Sequence, residues 1–412
     1  MKTYPNAPHH KSIPSSSGST RPWSDGDPSC FGRCGLWPHG LQVSGWVRSC
    51  AVALVLAGSF GTLLNRAALG ADGGAIHAFP QQRVEEREFG KMDDGTVVRQ
   101  FILRNANGMV VKLMTHGATV TEIQAPDRAG KMANVVLGAD SLEAYLKGFP
   151  AAAVIGRFAN RIANARFSID GVEYKVTANA GQHHIHGGRN GFARKVWQAT
   201  VLPSSPTQAS VRFTCQSADG EEGYPGNLTA SVTYSLNDFN ELRLDYEAVS
   251  DKPTAVNLTN HAYFNLAAAD GVLAHELWLN ADEYTLADAQ LIPTGEFGSV
   301  QGTPLDFRKP MTIGSRGDQL KPRANVYDHN YVITGGGREL VLAARVVEPT
   351  SGRVMEVRTT QPGVQLYTGN PRAFCLETQH YPDSVNHPGF PSAIVRPASP
   401  FRSTTSFTFS TR

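Results

Sequence analysis

Four polar clusters lie inside otherwise apolar stretches of this sequence, and each holds side chains able to bind a ligand or move a proton. In Phe374-Cys-Leu-Glu377-Thr-Gln-His, Glu377 follows three apolar residues. A carboxylate buried at such a position is costly unless paired, and burial raises its pKa toward general-base range. A glutamate on an edge strand facing water explains the same string nearly as well. In Asn260-His-Ala-Tyr-Phe-Asn265, His261 stands between aromatics and asparagines at the end of a strand. Aromatic surroundings lower an imidazole pKa and suit acid–base exchange near neutrality, although a core histidine satisfied by one neighbour has the same appearance. Gly156-Arg-Phe-Ala-Asn-Arg-Ile162 puts two arginines and an asparagine in an apolar stretch, where charges pair with each other or with a ligand. His183-His-Ile-His-Gly-Gly188 offers three imidazoles. Neighbouring strand residues point to opposite faces, so at most two converge, and no Cys or carboxylate ligand stands beside them. A hydrogen-bonding histidine at a Gly-Gly turn, where backbone comes close to a ligand, fits better than a metal site.

Two more strings, Gly363-Val-Gln365-Leu-Tyr-Thr-Gly369 and Thr303-Pro-Leu-Asp306-Phe-Arg308, add polar groups to apolar strands. Together these amides, guanidinium groups, imidazoles, carboxylates and aromatics are the residue types that bind a sugar, whose hydroxyls take bidentate polar partners and whose C–H face takes a ring. One histidine and one glutamate supply an acid–base pair, so neither a metal nor a cofactor is expected. A Gly-x-x-x-x-Gly-Lys-Ser/Thr loop, a Gly-x-Ser-x-Gly elbow and a His-Glu-x-x-His motif are all absent, which removes the usual supports of phosphoryl transfer, serine hydrolysis and zinc proteolysis.

The elements that must position these groups read as strands. Val97-Val-Arg-Gln-Phe-Ile-Leu103, Met109–Met114, Ala209–Cys215, Leu228–Tyr234, Glu241–Glu247, Leu340–Val346 and Arg353–Thr359 are rich in β-branched and aromatic residues with a period near two. Short helical turns are expected only at Ser141–Leu146 and in the Asp282–Gln290 region. With 40 glycines and 25 prolines to break helices and close turns, the expectation is all-β, a large antiparallel β-sandwich, in a single domain over 85–412. Net charge is +2; residues 1–71 contribute +4, which leaves −2 for the remainder and no electrostatic footprint for nucleic acid. Three of the five cysteines, Cys30, Cys34 and Cys50, lie in the N-terminal segment. Cys215 and Cys375 form no disulfide framework or metal spacing, and buried free thiols are expected.

Residues 1–45 are rich in Ser, Pro, Gly and His and are expected to be disordered. Within 46–71, Arg48 precedes a fourteen-residue apolar run, 51–64, and small residues follow it. This describes a signal peptide more than a membrane anchor, which needs about 20 apolar residues. A periplasmic or secreted location follows, with membrane contact only if 51–64 is an uncleaved anchor. A leader that starts this far into the chain also fits a start codon placed downstream, at Val43 or Val47.

In this order, Asn134-Val-Val-Leu-Gly138, Gly156-Arg-Phe-Ala-Asn-Arg-Ile162, Ile185-His-Gly-Gly188, Gly220-Glu-Glu-Gly-Tyr-Pro-Gly226, Asn260-His-Ala-Tyr-Phe-Asn-Leu266, Tyr327-Asp-His-Asn330, Gln361-Pro-Gly-Val-Gln365 and Leu376-Glu-Thr-Gln379 resemble the aldose 1-epimerase (galactose mutarotase) family. The likeness runs from about Phe89 to the C-terminus. It implies a supersandwich fold and the interconversion of the α and β anomers of free hexoses such as glucose and galactose. It also implies that Glu377 is the general base at the C1 hydroxyl, and that His261 is the acid at the ring oxygen. Asn160, Arg161, His186, Asp306 and Gln365 match sugar-binding positions. The base and acid are then expected to face one another across a pocket wide enough for a pyranose ring. Two other readings stay open, a carbohydrate-binding protein without catalysis and a hexose-phosphate mutarotase drawing on Arg194, Arg308 or Lys309. Only Pro371, Arg372 and Ala373 separate Asn370 from Phe374, where relatives carry a longer loop. Three residues suffice for a hairpin, with a more open rim near Glu377. A smaller departure is Gly148-Phe-Pro-Ala-Ala-Ala153, where relatives tend to carry an aromatic-glycine step.

Overall fold

Alternating strands with one apolar face must bury that face against another sheet, and here three antiparallel sheets share one core. Residues 83–148 and 151–412 are described, in a computed structural model. The expectations for 1–45 and 46–71 lie outside the described residues, as do residues 149–150. All described residues belong to one unit, Ala75–Arg412. No helix among them is long and apolar enough to cross a membrane.

The largest sheet has nine strands, ordered Gln198–Val201, Gln208–Ser217, Leu228–Asn237, Glu241–Ser250, Phe401–Thr411, Arg353–Thr359, Val341–Val347, Glu276–Leu279 and Met311–Thr312. An N-terminal sheet runs in chain order from Val84–Lys91 to Met132–Asn134. A third sheet is ordered Pro293–Ser299, Glu283–Ala287, Asp328–Val332, Gly363–Asn370 and Ala373–Gln379. Phe101 and Val111 from the first sheet, Phe213 and Leu244 from the largest, and Val364 and Leu376 from the third pack into one buried cluster. The chain is thus all-β, a large antiparallel β-sandwich, as its period-two patterning implies.

The strands fall where the alternation places them, and a helix forms at Leu142–Lys147, capped by Ser141. The helical turn expected at Asp282–Gln290 is corrected. Glu283–Ala287 is a strand paired with both Pro293–Ser299 and Asp328–Val332. Two ladder neighbours satisfy its backbone, and they override a weak local preference. Cys215 and Cys375 are buried free thiols.

The two arginines of Gly156-Arg-Phe-Ala-Asn-Arg separate in role. Arg157 is 2% exposed and forms no ion pair with a neighbour in its own string. Its guanidinium donates to Ser217 Oγ and to the carbonyls of Ser217, Ala218, Pro225 and Gly226 at 2.8–3.0 Å. It therefore stitches the loop after one long strand to the start of the next. Arg157→Met should leave those carbonyls buried and unsatisfied, at a cost of about 4 kcal/mol. Urea unfolding checks this, and a loss under about 1 kcal/mol would remove the structural role.

Candidate active site

Strand register builds one wall of the site. Asp328 pairs with Tyr367, and Tyr367 with Cys375; one step along, Asn330 pairs with Gln365, and Gln365 with Glu377. Paired residues and residues two apart share a face, so two cross-strand rows bring six side chains to one side of the sheet. Beside that wall, at the edge of the last strand, the segment after Thr259–Asn260 carries His261 and Tyr263. A third element, the small ladder pairing Arg161 with Ile185, carries Asn160, Arg161 and His186. The three enclose a cleft of about 880 Å³, lined by Asn160, Arg161, His186, His261, Gln365 and Glu377 among others.

Glu377 is 2% exposed, which excludes the solvent-facing edge reading. Its Oε1 lies 3.5 Å from His261 Nε2. The expectation that the two groups face each other across a ring-wide gap is corrected: they stand side by side. A pyranose supplies the reason, since the ring oxygen and the C1 hydroxyl are bonded to the same carbon. Burial pushes the Glu377 carboxyl up to about 8, with the Asp328 charge adding to the rise and Arg161 opposing it. Its Oε2 has no hydrogen-bond partner among the described residues. Burial takes His261 down to about 4, against a hydrogen bond to its own backbone. The two shifts agree in sense, because burial favours the neutral pair, with the shared proton on the carboxyl.

Aromatic rings fix the imidazole. Tyr263 stacks on His261 at 5.0 Å between centroids, and Tyr367 meets it edge-on at 6.3 Å. His186 also meets it edge-on, at 5.3 Å. Asn160 and His186 both hold left-handed backbone, at φ 61° and 51°, a region Asn and His enter more readily than most residues. They lock each other: the His186 N–H donates to the Asn160 carbonyl at 3.0 Å, and the Asn160 N–H donates to His186 Nδ1 at 3.2 Å. Nδ1 is therefore an acceptor, and the proton of the neutral ring sits on Nε2. Burial holds this imidazole well below its ordinary pKa. The turn beyond it requires glycine, because a Cβ on Gly187 would sit 1.7 Å from the Gly156 carbonyl oxygen.

Of the three neighbouring histidines, only His186 reaches the cleft. His184 is spent on the Thr177 carbonyl and the Tyr224 hydroxyl, at 2.7 and 2.6 Å. His183 bonds the Asn164 N–H and Gln290, at 3.0 and 2.5 Å. His186, His261 and Glu377 have donor atoms within 4.8 Å of one another, and these are the groups with which the site would hold a metal.

Asp306 does not belong to the cleft, which corrects its assignment. It is clamped by Arg308, with two bonds of 2.9 Å, and that partner holds it at about 2. In Pro-Leu-Asp-Phe-Arg the arginine two residues on is its natural mate. An aspartate that does line the cleft is Asp328, which accepts from Gln365 Nε2 at 2.7 Å. It lies within the string Tyr327-Asp-His-Asn330, and what brings it to the site is its place on the Tyr367–Cys375 row, which sheet register sets. Tyr263 and Tyr367 also line the cleft, although their strings alone assign them no role.

The short link is a two-residue turn: Asn370 pairs with Ala373, and Asn370 Oδ1 accepts from the Arg372 N–H at 3.0 Å. Pro371 borders a groove of about 990 Å³ that meets the cleft at Val326.

An all-β sandwich with a buried carboxyl beside an imidazole, ringed by amide, guanidinium and aromatic groups, is the construction of a sugar-handling acid–base protein. The aldose 1-epimerase family model matches residues 99–408. Galactose mutarotases from Bos taurus and Homo sapiens are each 43% identical over 342 residues, covering 78% of this chain and 97% of theirs. The aldose 1-epimerase of Escherichia coli (strain K12) is 37% identical over 337 residues, covering 77% and 96%. Among solved structures, galactose 1-epimerase from Lactobacillus acidophilus NCFM superposes with a TM-score of 0.70 at 28% identity, covering 80% of this chain and 98% of its own. The GalM/aldose epimerase homologue from C. elegans gives 0.69 at 31% identity, covering 75% and 98%. The chain belongs to the aldose 1-epimerase family.

An acid whose folded-state pKa lies above its unfolded value holds its proton more tightly when folded. Its ionisation therefore costs stability as pH climbs from 4.5 to about 8. Glu377→Gln removes that cost. The variant should gain on the wild type by about 1 kcal/mol or more at about pH 8, and much less at about pH 5. Urea midpoints at the two pH values measure it, and a gap that does not widen with pH would refute the buried, raised carboxyl.

Proposed function

We propose that the protein interconverts the α and β anomers of free hexoses, glucose and galactose among them, by opening and reclosing the pyranose ring. The observation that carries this is Glu377 Oε1 beside His261 Nε2 at 3.5 Å, both buried in the cleft. Glu377 acts as the base on the C1 hydroxyl, and His261, as imidazolium, is the acid at the ring oxygen. O1–H loses its proton to the carboxylate as the C1–O5 bond breaks, and Nε2–H protonates O5. The products are an open-chain aldehyde, a neutral carboxyl and a neutral imidazole. Rotation about C1–C2 presents the other carbonyl face, and closure reverses both transfers.

The protonation state that burial favours is the one required opposite the aldehyde. A cyclic sugar restores the ion pair, because its C1 hydroxyl donates to the carboxylate and Arg161 already favours the charged form. His186, Asn160, Arg161, Gln365 and Asp328 hold the remaining hydroxyls, with Tyr263 and Tyr367 providing apolar surface.

The two other readings have less support. A binding protein without catalysis has no use for a carboxyl raised to about 8 against an acid. For a sugar phosphate, Arg308 is committed to Asp306 and Asp282, and neither Arg194 nor Lys309 lines the cleft. We propose also that 46–71 directs export to the periplasm or medium, supported by Arg48 and the apolar run 51–64. N-terminal sequencing of protein recovered outside the cytoplasm tests this; a start upstream of residue 46 in that fraction would argue against it.

Polarimetry on freshly dissolved α-glucose and α-galactose tests the main proposal. Wild-type protein should speed the change in rotation, and Glu377→Gln should slow the catalysed rate by about a hundredfold or more while remaining folded. An unchanged rate on every free aldose with wild-type protein would end it. Asp328→Asn should raise KM for galactose about tenfold, whereas Asp306→Asn should leave it within about twofold. The reverse ranking would restore Asp306 to the site.

A further inference from the structure

Arg161 lines the cleft and its charge favours the ionised form of Glu377, yet its strand is two residues long. Arg161–Ile162 pairs with His184–Ile185 alone, in a two-stranded ladder. So short a ladder is marginal by itself and a poor mount for a long side chain. The other edge is taken by one residue, Asp383. Its N–H donates to the Arg161 carbonyl at 2.8 Å, and its Oδ1 accepts from the Ala163 N–H at 2.9 Å. We propose that Asp383 is a positioning residue for the reaction: it clamps Arg161–Ala163 from behind and so holds the Arg161 guanidinium against Glu377 and the sugar.

The inference rests on the anomer-interconverting function, which gives the placement of Arg161 relative to Glu377 a task. Asp383 lies six residues after Glu377 in one continuous segment. Asn257 fastens the middle of that segment: its Nδ2 donates to the His380 carbonyl at 3.1 Å, and its Oδ1 accepts from the His380 N–H at 2.9 Å. The backbone carbonyl of Asn257 also accepts from the Ala159 N–H at 2.8 Å, just before Asn160. The string that carries Arg161 is therefore tied to the segment that carries the base on both sides of Arg161. Within that frame Asn160 Oδ1 accepts from the Arg161 N–H at 2.9 Å and from its guanidinium at 3.4 Å, which directs the side chain.

The donors at both ends of the clamp are main-chain N–H groups, so the direction of each bond is fixed. Asp383 is 1% exposed, and its backbone is left-handed at φ 55°, a conformation that a residue other than glycine keeps only where its surroundings over-determine it. The rest of its carboxyl is engaged as well. Asn386 Nδ2 donates to Oδ1 at 2.6 Å, and His387 Nε2 lies 3.2 Å from Oδ2. Burial raises the pKa of this carboxyl, and the Ala163 N–H, Asn386 and His387 oppose the rise. These partners hold the acceptor aimed at Ala163 while the main chain of the same residue holds Arg161.

The test uses the full chain carrying Asp383→Gly, which removes the carboxyl and suits the left-handed backbone, or Asp383→Asn, which keeps an acceptor at Oδ1. Asp383→Gly is also combined with Arg161→Ala. The measurements are urea unfolding, polarimetric kcat and KM for galactose, and the infrared carboxyl band that Glu377→Gln removes. Asp383→Gly should lower kcat/KM about tenfold, mostly through KM, and should move the loss of the Glu377 proton upward by about half a pH unit as Arg161 drifts away. Asp383→Asn should stay within about threefold of wild type in kcat/KM. In the Arg161→Ala background Asp383→Gly should cost at most about a further twofold, because no guanidinium is left to position. A folded Asp383→Gly protein with wild-type kcat/KM would overturn the proposal, as would losses that multiply in the double variant. If Asp383→Gly does not fold, Asp383→Ser, whose shorter side chain stops short of the Ala163 N–H, carries the same expectations and the same refutations. Wild-type protein inactive on every free aldose refutes the anomer-interconverting function instead, and the infrared arm still reads whether Asp383 holds Arg161 against Glu377.

Discussion

Holding a carboxyl protonated up to about pH 8 requires that water be kept from it, and one strand bears that requirement. No residue of Ala373–Gln379 is even half-exposed. Yet this strand comes last in its sheet, where an open edge would normally admit solvent and other chains. The edge is closed by the segment that follows Thr259–Asn260. Phe264 and Phe374 exchange both backbone hydrogen bonds, at 2.7 and 3.0 Å, and their rings pack together. That covering segment carries His261 three residues earlier. The element that covers Glu377 is therefore the one that carries His261, and their separation is set by a ladder contact rather than by a loose loop.

The facing wall is fixed by backbone conformation. Asn160 and His186 sit in left-handed geometry and bond to one another, while Gly187 lies so close to Gly156 that no side chain fits between them. Asp383 holds the far side: its N–H donates to the Arg161 carbonyl at 2.8 Å, and its Oδ1 accepts from the Ala163 N–H at 2.9 Å. Left-handed non-glycine residues cost energy and persist only where their surroundings over-determine them. Here the return on that cost is a histidine whose tautomer is set before any sugar arrives.

The fold was legible because its signal is local. Strand alternation survives in each segment on its own, and seven segments marked by period alone are strands in the structure. Asp282–Gln290 misleads because Glu283–Ala287 is short and its pairing partners are distant in sequence. The site was legible as a set of residue types, and its errors have a single origin. Arg157 and Arg161 look equivalent in a string, as do Asp306 and Asp328. What separates them is which long-range partner each one meets. Arg157 finds carbonyls some sixty residues away, Asp306 finds Arg308 two residues away, and Asp328 finds a strand row that only sheet register reveals.

Side-by-side placement of base and acid has a consequence for turnover. In the proposed reaction, ring opening moves one proton onto Glu377 and one off His261, so the pair's total charge is the same before and after. Burial favours the neutral pair, whereas an ion pair in a dry site is costly without hydrogen bonds to satisfy it. The cyclic sugar brings those bonds and the aldehyde gives up one of them, so substrate and intermediate each stabilise the protonation state they need. Closure from either carbonyl face returns the same ion pair. In that scheme the site is reset whichever anomer leaves, and no step requires a proton from solvent. Burial of Glu377 is compatible with that chemistry, because the proposed cycle never calls for a proton from water.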